Sequence, residues 1–391
     1  MKSKKRVRKN AIIERLRGQI VSSHLQPGSR LPTRMEMEQK YKSSLMTVQR
    51  ALEQLETEGF VNSRGSSGTF VSDHPPHLWR YALVFPHYPS NTGHWVRFWT
   101  ALSHEAARIQ HASRCQFEIH YDMDFPAKSA DYPKLEAAIF NQCLAGVIFP
   151  SRPFRFDGTP VLDMPGLPRV AITDAPYKGV PAVALDSHAF IDKALDYFVS
   201  RGRQRIAAVM VPGHAGDFMN YFKIAIAHRG LTHRACWLQV VAQTAAEWAD
   251  NTVQLLLQGP SSNERPDALL ITDDNLVEHA ATGVIKAGLR TPDDLDMIGH
   301  CNFPWPAASV LPLQRLGFDA SDVLRRCLEI LDMQRQGKSA PDFSVIAPLF
   351  ENELSKTVPE PFSPSRILPS PARQPQSPAG SSLPQYERKT L

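Results

Sequence analysis

Between Tyr81 and Gly299, short runs of strand-forming apolar residues alternate with longer stretches of helical periodicity. Such an order predicts a mainly parallel sheet with helices on both faces, because parallel neighbours need a crossover long enough to hold a helix. The strand candidates are residues 81–85, 116–121, 145–149, 170–173, 182–185, 205–211, 268–272 and 296–299. Helical patterns at 94–110, 190–200 and 276–287 lie between some of them. At 391 residues the chain is too long for one compact core, so two or more domains are expected.

A differently patterned head precedes this α/β body. From Ala11 the apolar residues Ile12, Ile13, Leu16, Ile20 and Val21 recur at helical spacing, with Asn10 placed to cap the helix. Pro27-Gly28 breaks the pattern, and Thr33 with Glu36 has the spacing of a capping box, predicting a second helix to Tyr41. Ser43-Ser44 caps a third, whose Val48, Ala51, Leu52 and Leu55 form an apolar stripe ending at Gly59. Two β-like runs, 60–62 and 69–71, flank Gly65-Ser66-Ser67-Gly68 and read as a hairpin. Three helices and a two-stranded wing make a winged helix-turn-helix.

Charge separates the two parts. Residues 1–72 hold 14 basic and 6 acidic side chains, a net of +8, whereas the rest of the chain is at −3. A small basic head on a mildly acidic body suits a nucleic-acid contact confined to one end; a solvated charged face is the plainer alternative. The chain divides into a basic arm at 1–10, the winged head at 11–72, a Pro-containing extended linker at 73–80, the α/β body at 81–354 and a Pro-rich tail at 355–391, expected to be disordered. Apolar runs are too short for a membrane span, and the N-terminus lacks the apolar core of a secretory signal, so a cytoplasmic location is expected. Five scattered cysteines fit reduced, mostly buried thiols.

The stretch Leu25-Gln26-Pro27-Gly28-Ser29-Arg30-Leu31-Pro32-Thr33, the pattern Ser44…Thr47-Val48…Ala51-Leu52…Leu55…Glu58-Gly59-Phe60-Val61 and the wing Gly65…Gly68-Thr69-Phe70-Val71 resemble the GntR family of bacterial transcription regulators. The resemblance implies that the third helix enters the major groove of duplex DNA with Ser44, Leu45, Met46, Thr47, Gln49 and Arg50, supported by Arg34 and by wing residues Arg64, Gly65, Ser66 and Gly68. Met35, Leu45 and Gln49 stand where several family members carry arginine, so guanine reading by guanidinium is reduced there. Leu45 and Met46 suit thymine methyls and Gln49 an adenine edge; Arg34 and Arg50 serve either bases or phosphates. Lys42 occupies a turn position that is commonly glycine in the family, which predicts a strained turn.

The body has its own resemblance. The segments 267–275 and 287–299, with 182–186, 202–207 and 316–319, are similar to the LacI/GalR effector domain, a type I periplasmic-binding-protein fold. This implies two α/β lobes with a ligand in the cleft at the C-terminal strand ends. Asp274 corresponds to a family aspartate that binds a ligand hydroxyl; capping the next helix is its alternative role. Phe218 stands where the family places a ligand-binding arginine. Trp95, Phe98 and Trp99 suit either stacking on a sugar face or burial against the core. Asp174 and Asn302 complete the candidates at strand-end loops.

No catalytic pattern competes with this reading. The sequence His104-Glu105-Ala106-Ala107-Arg108 has arginine where a zinc-protease helix needs its second histidine, and no cofactor is implied. The expectation is a dimeric regulator, a repressor by preference, that binds a two-fold-related operator and a carbohydrate-like effector. A nucleobase or other metabolite is the alternative ligand, and a DNA-tethered enzyme the more distant rival.

Overall fold

The computed structural model describes residues 9–91, 93–258 and 264–354. The expected tail at 355–391 and most of the expected arm at 1–10 lie outside the described residues. The head contains α1 (Lys9–Val21), α2 (Arg34–Tyr41), α3 (Leu45–Thr57) and the antiparallel hairpin of β1 (Val61–Ser63) and β2 (Thr69–Val71). Asn10 falls inside α1 and does not cap it, because the helix starts at Lys9. The apolar stripe of α1 (Ile12, Ile13, Leu16, Ile20) packs against Val48, Ala51, Leu52 and Leu55 of α3, closing a small core over Met37 and Phe60. Residues 28–31 run beside β2 through Val71 N–H to Ser29 O and Leu31 N–H to Thr69 O, each 2.8 Å, so the wing is broader than a simple hairpin.

The linker departs from expectation. Pro76–Trp79 forms a turn of helix, α4, with proline in its first turn, where its missing N–H is no loss. Leu78 and Trp79 are buried in the core of the following lobe, and their burial overrides the extended preference of Pro75-Pro76.

The body has two lobes. The first contains β3 (Arg80–Val84), α5 (Arg97–Ala112), β4 (Gln116–His120), α6 (Tyr132–Phe140), β5 (Gly146–Phe149), α7 (Pro160–Asp163), β6 (Arg169–Ile172) and β7 (Ala182–Leu185). The second contains α8 (Ser187–Ser200), β8 (Ile206–Met210), α9 (Asp217–His228), β9 (Leu238–Val240), α10 (Trp248–Leu256), β10 (Ala268–Ile271), α11 (Val277–Lys286), β11 (Asp296–Phe303) and β12 (Gln314–Asp319). The chain then returns with α12 (Ala320–Arg335) and β13 (Phe343–Ile346) to the first lobe, and closes the second with β14 (Leu349–Phe350). The sheet orders are β13-β7-β6-β5-β3-β4 and β14-β12-β11-β10-β8-β9. All pairs are parallel except β12 with β14. Strands such as β8 and β10 are apolar throughout because helices cover both faces. The expected strand at 296–299 continues to Phe303, which carries His300 and Asn302 to the interlobe cleft.

The head is seated on the first lobe. Cys143 and Ala138, at and after the end of α6, pack against the head core. Arg17, buried on α1, donates to Glu58 at 2.5 Å within the head and to Asn141 Oδ1 at 3.1 Å across the junction. Its guanidinium also lies over the Phe60 ring.

Candidate functional site

On the head, Ser44 starts α3 by accepting from Thr47 N–H at 3.3 Å. Its stripe turns Val48, Ala51, Leu52 and Leu55 inward, leaving Leu45 and Met46 45% and 62% exposed on the other side. Arg50 is exposed, and Gln49 is half-buried with its amide donating to Glu53 at 2.7 Å. Arg34 opens α2 beside a complete Thr33–Glu36 capping box and is exposed, as is Met35. Lys42 closes α2 in the left-handed region, at φ 48°, as expected of a residue in a glycine position. At the wing tip Arg64, Gly65 and Ser66 are exposed and Gly68 is half-buried. Arg64 is turned back along the wing, pairing with Asp73 at 3.3 Å and lying over Phe70. Gly68 has φ +105° and lies so close to Arg30 that an added Cβ would meet its Nε at 3.1 Å. Arg30, exposed beside the wing, is a further basic residue there; its place follows from the isolated bridge it makes with Phe70.

Between the lobes lies a cavity of about 470 Å³. Asp274 reaches it from the end of β10 and is 3% exposed. Its Oδ2 accepts from Asn302 Nδ2 at 2.8 Å and faces Arg97 Nε at 3.7 Å. Its Oδ1 faces His300 Nδ1 at 4.0 Å, beyond hydrogen-bond reach. Burial, with the neighbouring Asp273 charge, pushes this carboxyl up to about 7. Asp274 does not cap α11, whose N-cap Leu276 has no side-chain hydrogen bond. Asp273 organises that turn, accepting from the Asn275 backbone at 2.9 Å and side chain at 2.6 Å.

Phe218 lines the cavity and stacks on His214, with centroids 4.2 Å apart. His214 meets Thr272 Oγ1 at 2.9 Å, and burial lowers its pKa. Phe98 lines the cavity too. Trp95 and Trp99 do not; of the two roles expected of them, stacking or burial, the structure favours burial. They pack against Phe85, with Trp95 4.9 Å from it, because the turn before α5 and the first turn of α5 direct both rings to the core. Asp174 sits at the rim, 85% exposed in its side chain and paired with Arg152 at 3.1 Å. Arg97, His214, Gln243, Asp273, Asn275 and His300 were not singled out from sequence. The strand-end rule pointed to their loops, but only the fold shows which loops face each other. Glu105, from the zinc-protease-like run, is buried and bonded to Arg108 at 2.7 Å and Trp305 at 3.2 Å. Among the described residues no cluster of His, Cys, Asp or Glu could hold a metal. None of their helices is long and apolar enough to cross a membrane.

Comparison with known proteins agrees with this two-part geometry. Residues 8–71 match the family described as bacterial regulatory proteins, gntR family, and residues 195–349 match the periplasmic binding protein-like domain. An arabinose metabolism transcriptional repressor of Geobacillus stearothermophilus is 24% identical over 349 residues, covering 81% of this chain and 90% of the relative. The HTH-type transcriptional repressor PurR of Edwardsiella ictaluri is 27% identical over 173 residues, 38% of this chain and half of the relative. Among solved structures, a LacI family transcriptional regulator from Arthrobacter sp. FB24 in complex with lactose superposes with a TM-score of 0.54. It is 16% identical, and the match covers 70% of this chain and 97% of that one. A LacI regulator from Bacillus cereus subsp. cytotoxis gives 0.53 at 14% identity, over 70% and 96%. The chain thus joins a head that matches the gntR-family model to a body that matches the periplasmic binding protein-like domain and shares the fold of LacI-type regulators.

Proposed function

We propose that this chain is a cytoplasmic, dimeric repressor that leaves a two-fold-related operator when a polyhydroxylated ligand without negative charge fills the cleft. The observation that carries the reading is the buried Asp274, set in an interlobe cavity of about 470 Å³ within a chain that also bears a winged head. Four carboxylates, those of Asp174, Asp217, Asp273 and Asp274, line the cavity, and Phe218 stands where a cation would receive an anionic ligand. Asp274 accepts ligand hydroxyls, and Phe98 and Phe218 offer apolar faces. Ser44, Leu45, Met46, Thr47, Gln49 and Arg50 meet the major groove, with Arg34, Arg64, Gly65, Ser66 and Gly68 at its edges. A ligand that favours one lobe arrangement shifts the population toward it. The head, held by Arg17 and the Cys143 packing, follows the first lobe, and the two heads of a dimer then change spacing.

Fluorescence anisotropy on duplexes selected from genomic DNA tests this. Affinity falls steeply with salt, as expected when Lys and Arg displace phosphate counterions. Arg50→Ala weakens the selected duplex by about tenfold or more. A sugar, tested beside sugar phosphates and purines, releases the DNA. A fragment from Arg80 onward that kept the DNA affinity would overturn the assignment of the head.

A further inference from the structure

The cleft is rich in carboxylate acceptors, and its amide donors are already engaged. The amides of Gln243, Asn275 and Asn302 direct their NH2 groups onto Asp273 and Asp274 at 2.9, 2.6 and 2.8 Å. Asn302, a lining residue, is 2% exposed, and with its nitrogen on Asp274 its Oδ1 is buried without a hydrogen-bond partner. A buried acceptor in that state calls for a donor from whatever fills the space. Burial lowers both imidazoles of the wall, His214 and His300, the latter to about 4, so they bring no positive charge near neutral pH. The described lining contains four carboxylates and no lysine or arginine; Arg97 faces Asp274 from the first lobe, its side chain 43% exposed.

We propose that the effector carries an amine: an amino sugar or amino polyol whose ammonium is received by Asp274 Oδ1 and Asn302 Oδ1. This rests on the sensor reading above and narrows its ligand class. A hydroxyl brings one donor and no charge, whereas an ammonium brings three donors and a positive charge beyond that of the part-exposed Arg97. Burial holds Asp274 up to about 7, and an adjoining cation works against that shift.

Titration calorimetry on the full chain tests the inference, using glucosamine, galactosamine and mannosamine against the parent hexoses and the N-acetyl derivatives. At least one amine binds about tenfold or more tighter than its parent and its N-acetyl form, the effect of one charge-assisted contact. Asp274→Asn brings amine and parent to within about twofold. Arg97→Gln, at a part-exposed side chain, widens the preference by removing a competing cation. A hexose that binds as well as its amine overturns the amine inference and leaves the sensor reading standing. Failure of every sugar to bind the folded wild-type chain overturns both.

Discussion

Asp274 is ionised at a cost to the fold. In the unfolded chain it titrates near 3.8, whereas in the native cleft burial holds it near 7. The native state therefore prefers the protonated acid, and stability falls as pH climbs from about 4 to about 7, with the full penalty above 7. That penalty is on the order of 4 kcal/mol. Asp274→Asn, which keeps an acceptor for Asn302, should raise the melting temperature by a few degrees at pH 8 and hardly at pH 4. The same variant should bind operator normally and respond poorly to effector. Equal melting at both pH values would show that the carboxylate is not strained. At this scale the sequence was informative where chemistry and position coincide. Asp274, Asn302 and Phe98 could be named from strand-end or helix-start positions. Trp95 and Trp99 could not be separated from Phe98, since a helix start with three aromatics does not say which face meets the cavity.

Elements are held by close approaches that sequence hides. α10 and α11 pack so tightly at Gly283 that an added Cβ would lie 2.4 Å from the Asp250 carbonyl oxygen and 2.9 Å from Val253 Cβ. Gly283→Ala should therefore lower stability by about 1–3 kcal/mol through forced separation, read as a lower denaturant midpoint. The turn between α2 and α3 runs the other way. Lys42 is left-handed, a conformation that costs an ordinary residue about 1 kcal/mol, so Lys42→Gly should raise the melting temperature of the head. Unchanged stability in Lys42→Gly would mean that the lysine side chain contributes as much as its backbone loses. The central strands such as β5, β8 and β10 are legible because their runs are apolar throughout and punctuated by turns, whereas the polar or short β9, β12 and β13 are not. β11 was cut short at Gly299 because His300 and Asn302 read as polar loop, although they are alternate residues of one strand facing the cleft. The linker is not extended as expected because proline preference is local, whereas the burial of Leu78 and Trp79 is tertiary.

At the scale of the whole molecule, the head's seat on the first lobe has a thiol as its reporter. Cys143 is buried at the junction and its thiol is pushed up to about 11, whereas Cys236 is exposed. In a Cys236→Ser background, maleimide should label Cys143 slowly, and Asn141→Ala, which removes the lobe-side partner of Arg17, should speed labelling by about tenfold. Equal rates would show that the junction does not hold the head. The return of α12 and β13 to the first lobe, followed at once by β14 on the second, has a further consequence for biosynthesis. Neither lobe is contiguous in sequence: the first lacks a central helix and an edge strand until residue 346 has been made, and the second waits for Phe350. On a ribosome the winged head is therefore complete hundreds of residues before the interlobe cleft, and the two lobes mature together. Chains stalled ahead of Ala320 should yield a protease-resistant head and no resistant lobe, so a prematurely terminated chain would carry a DNA-reading unit without the means to be switched.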